Sequence, residues 1–452
     1  MTEVPSHPAD GAAEGARDAS SGIVGRIYAN LAKLMGGKAI AGLISLGYMV
    51  IAVRALGPAD YGVLILVHTY TITVGGIIEF PGWQAVVRYG AQAAAANDVG
   101  RLVRLLRLTS VIEAAGGAVA VLTCALLAPW IGPRLGWSQT ALAFSLPYSF
   151  AVLATIRSTP AGYLQLLGRF DLLGIHNLVA PAVRLAGALV ALCLGAGLRG
   201  FLVAWLLAAL AEGASMWIFG LVLARRRLPG HRLLGWPRGA IGENPGIRWF
   251  MIAANADVTF SDLAQRLASL AVGWVLGPAS AGIYAVAQRA TSVIAQPAGN
   301  LGQASYAELS RLIAAKGSGA DIRRAFRHAV LIAAALAAPM VLAVALFGTP
   351  IARLMAGPQF VSAGEVMPWL FLSRAILLVA PPASAALVAL GRPGVSFQAN
   401  LVTSLGMLPL LPLMMMRLGL PGAGYYAVLQ GLCTGAMLGA FLWRETRARA
   451  LN

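Results

Sequence analysis

Long apolar stretches separated by short polar connections dominate the chain after about residue 26. A helix that crosses the hydrocarbon core of a bilayer needs about 20 consecutive apolar residues. Twelve stretches of this kind occur, and we expect a transmembrane helix in each. The expected spans are 34–53, 62–82, 108–130, 140–164, 172–196, 200–223, 250–275, 281–304, 328–348, 364–388, 396–416 and 424–443. The pattern therefore predicts an all-α integral membrane protein of about twelve transmembrane helices.

Composition excludes an ordinary soluble enzyme. Hydrophobic residues make up 58% of the chain and charged residues 11%, whereas a soluble domain has about 25% charged residues. The three cysteines lie inside apolar stretches and the five histidines are scattered, so neither the spacing of a disulfide framework nor that of a metal site occurs. We therefore predict no cofactor and no metal.

The net charge of +17 would suggest a nucleic-acid partner in a soluble protein. Here the basic residues cluster in alternate connections between the apolar stretches. With the N-terminus in the cytoplasm, 24 of the 34 lysines and arginines fall in inner segments and five in outer connections, which is a strong positive-inside bias. This predicts a multi-pass protein of the bacterial inner (plasma) membrane with both termini in the cytoplasm, a lipid bilayer as its partner and no nucleic acid.

The chain contains an internal repeat. Leu56–Gly62 reads Leu-Gly-Pro-Ala-x-x-Gly and recurs 220 residues later as Leu276–Gly282, each copy predicting a tight turn between two helices. Leu167-Gly168-Arg169 recurs 223 residues later as Leu390-Gly391-Arg392. A shift of six helices keeps both halves in the same orientation, which predicts two six-helix lobes related by a parallel pseudo-two-fold axis.

The repeat and the charge pattern also predict the organisation of the chain. The segments are a disordered cytoplasmic tail (1–26), an N-terminal six-helix lobe (27–224), a basic cytoplasmic linker (225–248) and a C-terminal six-helix lobe (249–452).

Five arginines fall inside predicted spans. A charged side chain at bilayer depth costs at least about 2.5–3.5 kcal/mol, so these groups should face a protein interior or a wet cavity. The five are Arg157, Arg184, Arg266, Arg289 and Arg374. They outnumber the interior acids, which indicates a cationic cavity for an anionic cargo such as a phosphate. The alternative is that they form salt bridges between or along helices, as Asp262 and Arg266 could at i, i+4.

The seventh and eighth spans each have one polar face. A helical projection of the seventh span places Asp257, Asp262, Gln265 and Arg266 on its polar half, and Gln288 lies beside Arg289 on the eighth. We therefore include Gln265 and Gln288 with the five arginines as substrate-binding residues. For Asp257 and Asp262 we hypothesise coupling to a proton or cation gradient.

Several short motifs resemble a known family. They are Arg54–Gly62, Val86–Gly90, Leu164–Phe170, Gly273–Tyr284 with Gln288–Ala290, and Gln303–Leu309. Together they resemble the polysaccharide-unit (O-antigen/exopolysaccharide, Wzx-type) flippases of the multidrug/oligosaccharidyl-lipid/polysaccharide exporter superfamily. Peptidoglycan-precursor flippases of that superfamily typically have fourteen helices, so a count of twelve disfavours that branch.

The resemblance implies two lobes that rock around a cationic cavity by alternating access. It implies a cargo of undecaprenyl-diphosphate-linked sugars, moved from the cytoplasmic to the outer leaflet for exopolysaccharide, O-antigen or capsule assembly. Polysaccharide polymerase and other assembly proteins are the implied protein partners.

Three other functions stay open at this stage. A multidrug or small-molecule exporter of the same superfamily would fit the fold, although surplus arginine disfavours organic cations as cargo. A membrane enzyme, such as a polymerase, ligase or lipid-sugar transferase, would need a catalytic cluster or a large extramembrane loop. A scaffold subunit would not need polar helix faces.

Overall fold

The structure is a computed structural model. It describes the backbone of residues 8–448 except 79–81, 233–234, 315–318 and 391. Side chains are described for residues 36–447 except 79–81, 233–234, 253–262, 292–319, 329, 336, 385, 388–389, 391 and 393. The described residues are helical with short connections and contain no strand.

The first long helix, α1 (Pro8–Ile78), is a helical hairpin. Its apolar part from residue 36 to 78 has 43 residues, about 65 Å as one straight helix and twice the thickness of the hydrocarbon core. Gly57 breaks it with φ 70° and ψ −179°, a conformation that favours glycine. Tyr48 and His68 lie on opposite sides of this break, yet both contact Arg184. The two arms of α1 therefore run antiparallel.

The same architecture recurs in α9 (Ile247–Ala314). Gly277 breaks this helix with φ 83° and ψ 173°. The Ser269 hydroxyl, before the break, donates a hydrogen bond to Gln288 Oε1, after it, at 3.2 Å. These residues would be about 28 Å apart in a straight helix. The tight turns predicted in both copies of the Leu-Gly-Pro motif are therefore present.

The remaining elements follow in chain order. They are α2 (Trp83–Ala95), α3 (Val99–Arg134), α4 (Gln139–Tyr148), α5 (Ser158–Leu166), α6 (Phe170–Cys193), α7 (Gly197–Arg227), α8 (Ala240–Glu243), α10 (Gly319–Ala356), α11 (Ala363–Leu377), α12 (Ala380–Ala389), α13 (Pro393–Leu401), α14 (Leu410–Leu418) and α15 (Leu420–Ala448). A 3₁₀ turn (Ser149–Ala154) joins α4 to α5, another (Pro358–Phe360) precedes α11, and a π-helical turn (Val402–Gly406) follows α13.

The described helices are long enough and apolar enough for twelve membrane crossings. Within the part of the chain that the structure describes, nine helices are long and apolar enough to span a bilayer, or ten with the bent pair formed by α13 and α14. Two of the nine contain the breaks at Gly57 and Gly277 and cross twice. The predicted all-α fold of about twelve transmembrane helices in two lobes is confirmed.

The second repeated motif also forms the same turn in both lobes. Arg169 donates its backbone N–H to Leu164 at 2.9 Å, and Arg392 donates its own to Leu387 at 2.8 Å. Each arginine is the N-cap residue of the following helix, α6 or α13. Gly391 lies outside the described residues. The matching bonds, 223 residues apart, support the parallel repeat.

The disorder expected for residues 1–26 remains a prediction. One helix boundary differs from the sequence-based expectation. The helix α3 begins at Val99, nine residues before the predicted span, because the Asp98 side chain caps it by accepting the Arg101 N–H at 2.8 Å.

The lobes meet chiefly where α1 packs against α9. At the end of the bundle that carries Gly57 and Gly277, here the turn end, Gly62 lies against the carbonyl of Pro278 and Gly282 against that of Pro58. The other end carries the connection 228–246 and is called the linker end. The predicted boundaries of the tail, lobes and linker remain predictions.

Candidate functional site

A cavity of about 850 Å³ lies between the lobes. The first arm of α1 and the second arm of α9 form two of its walls, and Lys38 and Arg289 place cationic groups there. Asn177 adds an amide, whereas α10 and α11 contribute apolar side chains such as Met340 and Phe371. No acidic residue occurs among the described lining residues. One part of this cavity therefore suits an anion and another part suits an apolar chain.

Arg184 on α6 lies deep in the N-terminal lobe and is held by neutral groups. It donates to the Tyr48 hydroxyl at 3.3 Å and to His68 Nε2 at 3.0 Å. Its guanidinium also lies 5.7 Å from the ring centroids of Tyr48 and Trp205, within the range of cation–π attraction. Its buried Nε has no hydrogen-bond partner. The cation is positioned without a carboxylate in contact among the described side chains.

His68 is fixed in one tautomer by these contacts. Because arginine can only donate, Nε2 of His68 accepts and its Nδ1 carries the proton. That Nδ1 lies 3.0 Å from the Tyr148 hydroxyl oxygen. The chain Arg184–His68–Tyr148 therefore holds the guanidinium through a neutral imidazole rather than through direct contact with a described carboxylate.

Arg266 on the first arm of α9 reaches across the seam between the lobes. Its Nη1 donates to the carbonyl oxygen of Ile72, on the second arm of α1, at 2.7 Å. His68 lies within electrostatic reach of both Arg184 and Arg266, and Tyr48 within reach of both Arg184 and Arg289. Arg266 therefore contacts the other lobe directly and Arg289 lines the cavity between the lobes, whereas Arg184 lies within the N-terminal lobe against the two arms of α1.

A second cavity, of about 180 Å³, lies within the C-terminal lobe. It is lined by three other predicted residues, Gln265, Gln288 and Arg374, together with further amides and hydroxyls. Gln288 lines this cavity and its neighbour Arg289 lines the central one. The second arm of α9 is thus a wall shared by both cavities.

Arg157 is placed differently from the other four arginines. It is the N-cap residue of α5, at the break in the fourth crossing, and it forms an ion pair with Glu212 on α7. It also donates to His176 Nε2 at 2.9 Å, and Nδ1 of His176 lies 3.0 Å from Ser215 Oγ. For Arg157 the geometry matches the interhelical salt bridge that we weighed as the alternative.

Glu113 on α3 caps the start of α5 at the same break in the fourth crossing. Its carboxylate accepts the backbone N–H groups of Ser158 and Thr159, the latter at 2.9 Å. Trp217 donates to the carbonyl of Ile156 at 2.7 Å. Because no water reaches a helix break at bilayer depth, protein groups must satisfy its backbone. Glu113 therefore has a structural role as a cap.

The structure leaves two predicted residues unplaced and adds others. The side chains of Asp257 and Asp262 lie outside the described residues, so the proposed ion coupling and the Asp262–Arg266 pair stay hypotheses. The sequence-based prediction of site residues did not include Lys38, Tyr48 or His68. Lys38 reads as a topology signal at a helix entry, and an isolated tyrosine or histidine in an apolar stretch carries no periodic signal.

Comparisons with known proteins agree with this fold. The chain is 27% identical to inner membrane protein YghQ of Escherichia coli (strain K12) over 347 residues, which cover 75% of this chain and 95% of YghQ. Among solved structures, the lipid II flippase MurJ in an inward closed conformation matches with a TM-score of 0.68 at 12% identity, covering 92% of this chain and 90% of MurJ. An inward-facing multidrug resistance MATE family transporter of the MOP superfamily matches with a TM-score of 0.67 at 13% identity, covering 91% of this chain and 94% of the transporter.

The similarity to these structures shows that the chain has the fold of multi-pass membrane transporters. The sequence profile described as polysaccharide biosynthesis protein matches residues 51–365, which is more than half of the chain. The match takes in both repeated Leu-Gly-Pro motifs and four of the five membrane arginines. On this evidence the chain belongs to the polysaccharide biosynthesis protein family.

Proposed function

We propose that this protein translocates a polyprenyl-diphosphate-linked saccharide from the cytoplasmic to the outer leaflet of the inner membrane, for exopolysaccharide, O-antigen or capsule assembly. The observation that carries the proposal is the position of Arg266 and Arg289 at the seam between the lobes, with Arg184 held against the two arms of α1. A diphosphate is an anion, and guanidinium groups match its oxygens.

The central cavity accommodates the two chemistries of such a cargo. Lys38 and Arg289 provide the cationic part, while the apolar side chains of α10 and α11 provide a wall that an isoprenoid chain can contact. The polar head would cross between the lobes while the lipid tail stays in the bilayer. The binding residues in this proposal are Arg184, Arg266 and Arg289 with Lys38, and Arg157 serves the structure of the N-terminal lobe.

The contacts at the turn end support an alternating-access cycle. With the linker end in the cytoplasm, as the basic residues predict, the Gly62–Pro278 and Gly282–Pro58 contacts close the outer side of the seam. Release of the cargo to the outer leaflet would require these contacts to separate.

We retain Asp257 and Asp262 as the proposed sites of ion coupling, and polymerase or other assembly proteins as proposed partners.

A second candidate is a multidrug or small-molecule exporter, favoured by the structural similarity to a MATE transporter. The charge of the cavity distinguishes the two candidates. Among the described residues that line the central cavity, the charged side chains are the cations Lys38 and Arg289. A cavity of this charge repels organic cations and attracts anionic head groups.

The experiment is a leaflet assay in a strain that lacks the gene. We expect the lipid-diphosphate-linked saccharide to accumulate on the cytoplasmic side, and the wild-type gene to restore export. Arg184→Ala should fail to restore it, whereas Arg199→Ala, a change of an exposed arginine at the start of α7, should succeed. Normal export without the gene would refute the flippase function and favour the small-molecule exporter.

A further inference from the structure

The cavity in the C-terminal lobe has the lining of a carbohydrate site. Amide groups come from Gln265, Gln288, Asn400 and Gln430, and hydroxyls come from the serines, threonines and tyrosines between them. Neutral amides and hydroxyls both donate and accept hydrogen bonds, which matches the alternating donors and acceptors of a sugar ring. The volume of about 180 Å³ is a space on the scale of one sugar ring.

Arg374 is the charged side chain among the described residues that line this cavity. It lies on α11, within a predicted membrane crossing, and forms no ion pair or hydrogen bond with any described residue. An arginine at this depth carries a free-energy cost that a partner normally offsets. Its position therefore points to an anionic group that no described side chain provides.

A second unsatisfied group belongs to a residue that lines the same cavity. Tyr426 on α15 is 3% exposed, and its hydroxyl is buried without a hydrogen-bond partner. Such a group costs about 1–3 kcal/mol. The neighbouring hydroxyls are already used, since Ser373 donates to the carbonyl of Ala427 at 2.6 Å and Thr434 to that of Gln430 at 2.8 Å. A ligand in the cavity would satisfy both Arg374 and Tyr426.

We propose that this cavity binds one sugar ring that bears a carboxylate, as a uronic acid does, and that this ring belongs to the saccharide of the cargo. Arg374 pairs with the carboxylate, Tyr426 donates to a ring substituent, and the amides bind the hydroxyls. The proposal rests on the flippase function proposed above. Gln288 and Arg289 are adjacent on the wall between the two cavities, so a head group can present its diphosphate to one cavity and its sugar to the other.

The first test is binding of soluble probes to the purified full-length protein in detergent, measured by isothermal titration calorimetry. We expect D-glucuronate to bind at least tenfold more tightly than D-glucose, and Arg374→Gln to abolish this preference. Tyr426→Phe removes only the unpartnered hydroxyl and should weaken glucuronate binding about tenfold. Arg184→Gln should weaken the binding of inorganic pyrophosphate and leave that of glucuronate unchanged.

Folding of the variants is checked within the same experiment, because Arg374→Gln must still bind pyrophosphate as the wild type does. If Arg374→Gln fails this check, Tyr426→Phe decides the result. Equal binding of glucuronate and glucose to the wild-type protein, or unchanged glucuronate binding in the variant that passes the check, would overturn the proposal.

The second test separates this proposal from the flippase function. The full-length protein in liposomes is given fluorescent polyprenyl-diphosphate lipids that carry glucuronic acid or glucose, and the rate of transfer between leaflets is measured. We expect the wild-type protein to move the glucuronic acid lipid at least tenfold faster, and Arg374→Gln to move both at similar rates. Transfer of both lipids at equal rates by the wild type would refute the acidic-sugar site and keep the flippase. Transfer of neither lipid would refute the flippase function itself. Binding of free glucuronate in the first test without faster transfer of the glucuronic acid lipid would overturn the assignment of the ring to the cargo.

Discussion

Gly62 lies directly against the carbonyl oxygen of Pro278, and the repeat places Gly282 against the carbonyl of Pro58 in the same way. The two copies of the Leu-Gly-Pro motif thus hold the lobes together at the turn end. A nearby bond reinforces this closure, since Arg54 Nη2 donates to the carbonyl of Leu354 at 3.0 Å. Backbones approach this closely only where a side chain is absent. The glycine at the end of each motif is therefore required by the contact between lobes.

The first prediction concerns this contact. In Gly62→Ala the new Cβ would collide with the carbonyl of Pro278, so the closed arrangement of the turn end should lose population. We expect transport to fall at least tenfold. A cysteine placed at Tyr61, which is 4% exposed, should react faster with a membrane-impermeant maleimide in a chain whose native cysteines are replaced by alanine.

Gly439→Ala is the matched control, because no heavy atom lies within 4 Å of the Cβ that it would introduce. This variant should keep the labelling rate and the transport of its parent chain. Equal labelling of the cysteine with and without Gly62→Ala would show that the contact does not hold the seam closed.

The second prediction concerns Arg184. Arg184→Lys keeps the charge but cannot contact Tyr48 and His68 at once, because the ammonium is a point charge rather than a planar fork. We expect Arg184→Lys to lower transport about tenfold and Arg184→Gln to abolish it, as measured with the lipid-linked saccharide. Hydrogen bonds to a charged group contribute about 1.5–3 kcal/mol, and a tenfold change corresponds to about 1.4 kcal/mol.

His68→Gln tests whether the neutral imidazole positions this cation. It should weaken transport without removing a charge, and the effect should be smaller in combination with Arg184→Lys than alone, since the two changes disrupt one contact. Full additivity of the two losses would indicate that His68 acts independently of Arg184.

The third prediction treats Arg157 as a structural residue. Arg157→Gln leaves the Glu212 carboxylate without its cation, which costs about 3–5 kcal/mol for a fully buried pair. Because the two side chains keep 35% and 22% of their exposure, we expect a smaller loss, about 1–3 kcal/mol. The melting temperature of the purified protein should fall accordingly.

The double variant Arg157→Gln with Glu212→Gln should recover most of that stability, because it removes both charges together. It should also recover transport. A double variant that is stable but inactive would instead place Arg157 among the residues that bind the cargo.

The fourth prediction concerns the cap on α5. Glu113→Ala removes the acceptor of two backbone N–H groups at a helix start, whereas Glu113→Gln keeps one acceptor oxygen. We expect Glu113→Ala to lower the free energy of unfolding by about 1–3 kcal/mol for each bond lost, and Glu113→Gln to lower it less. Glu365→Ala, at an exposed acid in the first turn of α11, should change it by less than about 0.5 kcal/mol. Equal melting temperatures for all three variants would contradict the capping role.

Much of this architecture follows from local pattern. The bilayer requires apolar stretches of a set length with internally satisfied backbones, so the sequence by itself determines the number of crossings, their helical form and the two turns at Gly57 and Gly277. The repeat also follows from sequence, because equivalent turns need equivalent glycines and prolines in both lobes.

The role of each membrane arginine was decided only by the tertiary structure. In sequence, Arg157 and Arg184 look alike, both being cations in apolar stretches. Packing places Glu212, 55 residues away, against Arg157, and places Tyr48 and His68, more than 100 residues away, against Arg184. Helical periodicity constrains only neighbours three or four residues apart. Whether a buried charge is neutralised depends on the side chains that distant helices place against it, and therefore on how those helices pack.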